Sequence, residues 1–282
     1  MNRSQRCTQD RKADNLEKRD LEESRRNSQY NDTFITGLQW LWGDGNMAPG
    51  GTDDLGEMLG GIDSRNKSVL DVGSGLGAIA IALVQDYQAA SVIGVDVEPH
   101  LVEHSRERAR KASLADKVSF EQVTPGTLPF KDSTFDIVVT KDAIVHIPDK
   151  AQFYKDILRV LKPGGAFAGS DWLRKGQGAC SDTAAAWLEI VHLDFELQNP
   201  EQTSTALQQS GFERIRLNDR NEWYKEEIKK ELATLAGEKY NQLANLIGAD
   251  AADHRLRSCQ LKQQAVEEGF LRPTHFLAFK PG

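Results

Sequence analysis

An open, Rossmann-like α/β sheet is what this sequence predicts, on two observations. Short apolar runs alternate with helical patterns from Ser68 to Asp171, the pattern of a parallel sheet with helices on both faces. The first run ends in a glycine-rich turn, VLDVGSGLGAIAIAL from Val69 to Leu83, where a strand passes through Gly73, Gly75 and Gly77 into a helix.

The elements follow in order. Residues 1–28 are dense in Arg, Asp, Glu and Lys and read as a charged flexible tail. From Gln29 to Trp42, apolar residues recur at three- and four-residue spacing. That is an amphipathic helix, ending in the turn-rich GDGNMAPGG; with a helix at Asp53–Leu59 it makes a lid over 29–60. Strands are expected at Ser68–Gly73, Ser91–Val97, Val118–Val123, Phe135–Thr140 and Ala166–Asp171. Helices are expected at Ala78–Asp86, Leu101–Ala115 and Ala151–Leu161, the last stopped by KPGG. Beyond Trp172 come helices at Ala184–Leu197 and Asn199–Ser210, a strand at Glu213–Leu217, helical segments at Glu222–Ile247 and Asp250–Gly269, and a closing strand at His275–Pro281. The main domain is 61–282, with a C-terminal helical insertion at about 180–272. Such an insertion is expected over the carboxyl edge of the sheet, where open α/β sheets bind ligands.

Composition excludes several classes of function. The 282 residues carry a net charge of −7, against a general nucleic-acid binder, which presents a basic face. No leader-like apolar segment and no window of about 20 apolar residues is present, so neither export nor a membrane span is expected, and the cytoplasm is the expected location. Cys7, Cys180 and Cys259 are far apart, so free thiols and no metal site are expected.

A glycine triplet alone serves nicotinamide enzymes and methyltransferases alike. The next strand, VIGVDV, ends in Asp96, about 20 residues past the glycines, where a carboxylate can accept from both hydroxyls of a ribose. The glycine block begins with Asp71 and is followed by LPF (Leu128–Phe130) and LKPGG (Leu161–Gly165). As a set, D-x-G-x-G-x-G, LPF and LKPGG resemble the class I S-adenosylmethionine-dependent methyltransferases. That resemblance implies S-adenosyl-L-methionine as cofactor, with the Gly73–Gly77 loop along its methionine part, Asp96 on the ribose and Val97 on the adenine. Thr124 stands where the family usually has an acidic residue near the adenine amino group.

Methyl transfer from a sulfonium is an in-line displacement that excludes water and removes the acceptor's proton where it has one. KDAIVHIPDK (Lys141–Lys150) follows the fourth strand, with Asp142 and His146 four apart, so a helical turn would put them on one face. The stretch QYNDTFITGLQWLWGDGNMAPGG, together with KDAIVHI and the closing FLAFK (Phe276–Lys280), resembles the phosphoethanolamine N-methyltransferase family from about Gln29 to Lys280. This narrower resemblance implies Tyr30 and His146 as a catalytic dyad that also latches the lid, and Asp142 as a contact for the acceptor amine. It also implies Gln29, Tyr30, Asp71 and Lys141 among the cofactor contacts. Around the family's substrate phosphate, the aligned residues here are Trp172, Leu193, Phe195 and Arg257. Leu193 cannot bind phosphate and Phe195 lacks a hydroxyl, so the pocket is aromatic and apolar, suited to a cationic group or a flat substrate. Trp40, Trp42, Trp187 and Trp223 read as core. The expected partner is a small-molecule methyl acceptor, taken by a monomer or homodimer.

Overall fold

The computed structural model describes residues 30–176, 180–191 and 195–282; the charged tail, Gln29 and Leu193 lie outside the described residues. Its elements run α1 Asp32–Trp42, α2 Leu55–Leu59, β1 Ser68–Val72, α3 Ala78–Gln85, β2 Ser91–Asp96, α4 Pro99–Lys111, β3 Val118–Gln122 and β4 Phe135–Lys141. There follow a 3₁₀ turn at Ile144–His146, α5 Lys150–Val160, β5 Leu161–Leu173, α6 Asp182–Val191, α7 Pro200–Gln209 and β6 Glu213–Asp219. The chain closes with α8 Asn221–Ala236, α9 Tyr240–Ile247, α10 Ala249–Glu267 and β7 Arg272–Phe279.

The seven strands form one sheet in the order β3-β2-β1-β4-β5-β7-β6. The first five pair in parallel, as expected; β7 runs antiparallel to both β5 and β6. The closing strand therefore enters from the opposite end, because the helical insertion returns the chain to the carboxyl edge before Arg272. That strand begins at Arg272, earlier than the expected His275.

Alternation along the strands sorts side chains into two layers. Val69, Ile137 and Val139 pack with Leu55, Leu83 and Val102 under α2, α3 and α4. Leu70, Val72 and Val138 pack with Ile157, Phe167 and Leu207 under α5 and α7. Phe135 joins the second layer out of strict alternation, because the β4–β5 register shifts between Phe135 and Ile137. A third core, with Trp172, Trp187, Tyr224, Leu235 and Leu271, lies in the helical insertion. Trp40 and Trp223 pack against it, as the core reading expects. Gly237 divides the single helix expected at Glu222–Ile247 into α8 and α9; glycine is a weak helix former and a frequent terminus. The LPF segment is held structurally: Arg159 donates to the carbonyls of Leu128 and Phe130 and pairs with Asp156 and Asp132.

α7 begins with a complete capping box: Asn199 accepts from the Gln202 amide at 2.8 Å and Gln202 reaches back to the Asn199 amide at 3.0 Å. Asn199 is buried, so its loss leaves an amide without a partner. Asn199→Ala is expected to lower unfolding free energy by about 1 kcal/mol in urea titration; an unchanged midpoint would show that the cap contributes nothing.

Candidate active site

The glycine loop sits at the carboxyl end of β1. Gly73, Gly75 and Gly77 have φ of 73°, 51° and 83°, a region that side chains disfavour. Close approach adds a second demand. A Cβ on Gly73 would lie 2.4 Å from Ala143, and one on Gly77 would lie 2.5 Å from Phe120. The Gly75 amide donates to Asp96 Oδ2 at 2.8 Å, and the Glu98 amide donates to Oδ1 at 3.0 Å. Asp96 is thereby fixed at the end of β2, and burial pushes its carboxyl above the ordinary range. Val97, beside it, is 47% exposed, open for a flat apolar ring to cover. Thr124 is exposed in the loop after β3.

Under the loop is Asp71, buried, with Oδ2 free of any hydrogen-bond partner; Ser74 Oγ is also buried and unpartnered. Both groups line a small cleft of about 50 Å³ with Met47, Gly51, Gly73, Gly75 and Lys141. The turn at Gly43–Gly51 lies directly on the glycine loop: a Cβ on Gly75 would meet Met47 Sδ at 2.9 Å. A larger cavity, about 410 Å³, lies at the amino ends of β4 and β5 beside Lys67, Lys162 and Arg216. It includes Lys162–Gly165 of the LKPGG motif but none of the expected catalytic, cofactor or substrate residues, so the carboxyl edge is the candidate site.

The acceptor side is built on α1 and the turn after β4. Asn31 caps α1 by accepting from the Phe34 amide, which fixes Tyr30 just before the helix. Tyr30 Oη lies 3.0 Å from His146 Nε2, across 116 residues of sequence. The Tyr30 carbonyl lies 2.7 Å from Nε2 of the buried His100 on α4, so both ends of the residue are anchored. Burial, then Asp96, Glu98 and Asp142, push the Tyr30 phenol well above its ordinary range. It stays protonated and can donate to the imidazole.

Asp142 does not share a helical face with His146. It has φ of 54° and precedes a 3₁₀ turn that starts only at Ile144. A non-glycine residue in that region is uncommon and marks functional turns. Its amide donates to the Ser170 carbonyl at 2.8 Å, and the Ser170 hydroxyl donates to its Oδ1 at 3.1 Å. Burial raises its carboxyl, partly offset by Lys141.

The remaining residues separate. Phe195 reaches the site, its ring 5.0 Å from His146 and 5.5 Å from Trp187. Trp172 is buried edge-on against Tyr224 at 5.1 Å. Arg257 is exposed on α10 and is not brought to the site. Two neighbours on that helix turn inward instead: Arg255 stacks 4.5 Å over Phe34, and Lys262 pairs with the buried Glu231 at 3.3 Å. Sequence reasoning missed both, although Arg255, Cys259, Lys262 and Val266 follow the helical period of a buried stripe. Lys141 lines the cleft but pairs with Asp54 at 3.1 Å.

The chain matches known proteins. A family model described as a methyltransferase domain matches residues 63–245.

The chain belongs to this methyltransferase family.

It is 29% identical to a phosphoethanolamine N-methyltransferase of Triticum aestivum over 280 residues, 99% of this chain and 54% of that protein. Among solved structures, phosphoethanolamine N-methyltransferase 2 of Haemonchus contortus, in complex with phosphomonomethylethanolamine and S-adenosylhomocysteine, superposes with a TM-score of 0.84 at 25% identity. That match covers 93% of this chain and 60% of the other. A putative sarcosine dimethylglycine methyltransferase from Galdieria sulphuraria shares the fold, with a TM-score of 0.69 at 22% identity, covering 86% of this chain and 84% of that one. The chain spans about half the length of the curated relatives it matches. Among the described residues no helix is long and apolar enough to cross a membrane, and no cluster of His, Cys, Asp and Glu could hold a metal.

The cofactor of these methyltransferases is S-adenosylmethionine, and the residues present fit it. Asp71 offers an unused buried acceptor and Lys141 a cation on the cleft wall, a pair complementary to an amino-acid zwitterion. Asp96 has the acceptor oxygens a ribose needs, and Val97 the exposed apolar surface a base would cover.

Burial and the Asp96 carboxylate push Asp71 up to about 7, against roughly 3.9 for an ordinary Asp. The unfolded chain loses this proton first, so the stability linked to Asp71 is full at low pH and is lost as pH rises toward 7. Asp71→Asn is expected to gain stability relative to the wild type as pH rises from about 4 to about 7, by urea unfolding of ligand-free protein. A pH-independent difference would contradict the shift.

Proposed function

We propose that this methyltransferase transfers a methyl group from S-adenosylmethionine to the nitrogen of a small amine, using Tyr30 and His146 as a proton-handling dyad. The observation that carries the reading is the 3.0 Å Tyr30–His146 contact at the carboxyl edge, one turn from Asp142 and close enough to Asp96 to feel its charge. When bound, the cofactor supplies an electrophilic methyl on its sulfonium. The protein's residues supply the remainder. Tyr30 Oη takes the proton lost by the amine as it passes its own proton to His146 Nε2, which holds it on the imidazole. Asp142, half-buried beside Ser170, offers its carboxyl to the ammonium or amine. The relatives named for phosphoethanolamine support the amine class.

The segment from Tyr30 to about residue 60 is read as a lid. It brings one half of the dyad, and its Gly43–Gly51 turn covers the glycine loop, so Met47 has to leave Gly75 before a nucleoside enters. Closure then excludes water and assembles the dyad in one movement.

A second reading is favoured by Phe195 and Trp187. The ring packed on His146 is aromatic, which suits C- or O-methylation of an apolar or aromatic metabolite such as an indole, phenol or prenyl compound, with the same dyad removing the proton. Release of S-adenosylhomocysteine over a panel of phosphoethanolamine, free amines, amino acids, indoles, phenols and prenyl diphosphates separates the two; turnover confined to the last three classes would overturn the amine reading. On whichever acceptor is active, His146→Ala is expected to cut turnover by roughly 100-fold or more with cofactor affinity kept. Near-normal turnover would remove His146 from the mechanism.

A further inference from the structure

One buried charge cluster has no part in the dyad. Asp54 lies at the cap position of α2 and is buried. Its Oδ2 accepts from Lys141 Nζ at 3.1 Å and faces His275 Nε2 at 2.9 Å; its Oδ1 accepts from Arg220 Nη2 at 3.2 Å. The partners come from separate parts of the fold. Lys141 ends β4, Arg220 caps α8 in the insertion, and His275 is on β7. One carboxylate therefore joins the lid, the sheet and the insertion.

Arg220 also lies 3.8 Å from the exposed Glu57, and Asp142 is near enough for Asp54, Lys141 and His275 to act on its carboxyl. Lys141 is the member that lines the glycine-loop cleft, in the same wall as the unpartnered Asp71 Oδ2. Lysine has a long flexible stem and gives up rotamer freedom when its ammonium is held; Asp54 holds it, and His275 in turn fixes Asp54.

We propose that Asp54, steadied by His275, is a positioning residue that holds the Lys141 ammonium at the cleft wall to receive the carboxylate at the amino-acid end of the cofactor. The inference rests on the S-adenosylmethionine reading. It makes the lid, through Asp54, part of cofactor selection as well as of water exclusion. It also separates the two ends of the ligand: Asp96 and Val97 act on the nucleoside, Asp54 and Lys141 on the amino acid.

The test compares two ligands by isothermal titration: S-adenosylhomocysteine, and 5′-methylthioadenosine, which keeps the adenosine and sulfur but lacks the amino-acid end. Asp54→Asn and Lys141→Met are each expected to weaken S-adenosylhomocysteine about tenfold or more, the scale of one lost charge-assisted hydrogen bond. Affinity for 5′-methylthioadenosine is expected to stay within about twofold of the wild type. The double variant is expected to bind S-adenosylhomocysteine no worse than Lys141→Met alone, because Asp54 acts through the lysine. Should Asp54→Asn fail to fold, His275→Leu gives the same test, with a smaller loss of the same selectivity. Equal weakening of both ligands, or no weakening in either variant, overturns the positioning role. A wild type that binds neither ligand overturns the cofactor reading and this inference with it.

Discussion

The amide of Gly75 donates to the carboxylate of Asp96 across 2.8 Å, and the rest of the site can be traced from that bond. It exists only because β1 and β2 are adjacent parallel strands that end level with each other, and because Gly73, Gly75 and Gly77 turn with positive φ. The turn places α3 behind the sheet and leaves its amino end beside the carboxyl edge. On the proposed reading, Asp96, so fixed, is where a ribose would lie. The turn after β4 emerges next to it and carries Asp142 and His146, while α4 supplies the His100 that anchors the Tyr30 backbone. Site geometry is thus largely a consequence of strand order, with the lid fitted onto it afterwards.

Electrostatics then divides the edge into two regions. Asp71, Asp142 and Asp171 are pushed upward by burial, so each holds its proton more tightly than an exposed carboxyl. Against them stand Lys141 and Arg220, both paired with Asp54. On the proposed reading, a ligand with a positive sulfonium, an ammonium and a carboxylate would meet the Asp71 acceptor and the Lys141 cation in one cleft. Burial, then the nearby carboxylates, keep Tyr30 protonated, so that on the proposed reading it can pass its proton to His146 as it takes one from the acceptor.

Much of this was legible in the sequence, and the parts that were not have physical reasons. Glycine spacing, Asp96 and KPGG mark backbone conformations and strand ends, which are local properties, so the five parallel strands fell where the pattern put them. The Tyr30–His146 contact spans 116 residues; only the resemblance to a family could join them, and the structure holds them at hydrogen-bonding distance. Arg257 was taken from the alignment to the resembled family, whereas the helical period of α10 turns Arg255 and Lys262 inward instead. Four-residue spacing suggested a helical turn at Asp142, but the carbonyl of Ser170 pulls its amide into the sheet edge and the turn tightens to 3₁₀. Asp54 gave no signal: an acidic residue beside Asp53 at the start of an expected helix looks solvated until β4, β7 and the cap of α8 converge on it.

The central claim is that the Gly75–Asp96 corner is a nucleoside cradle of a working methyltransferase. Its most direct test is the affinity of the wild type and Asp96→Ala for S-adenosylhomocysteine, with thermal unfolding as the control for fold. The account predicts that the wild type binds and that the variant, still folded, binds about tenfold or more weakly, as expected for losing a charged acceptor of two hydroxyls. Equal affinities in two folded proteins would contradict it.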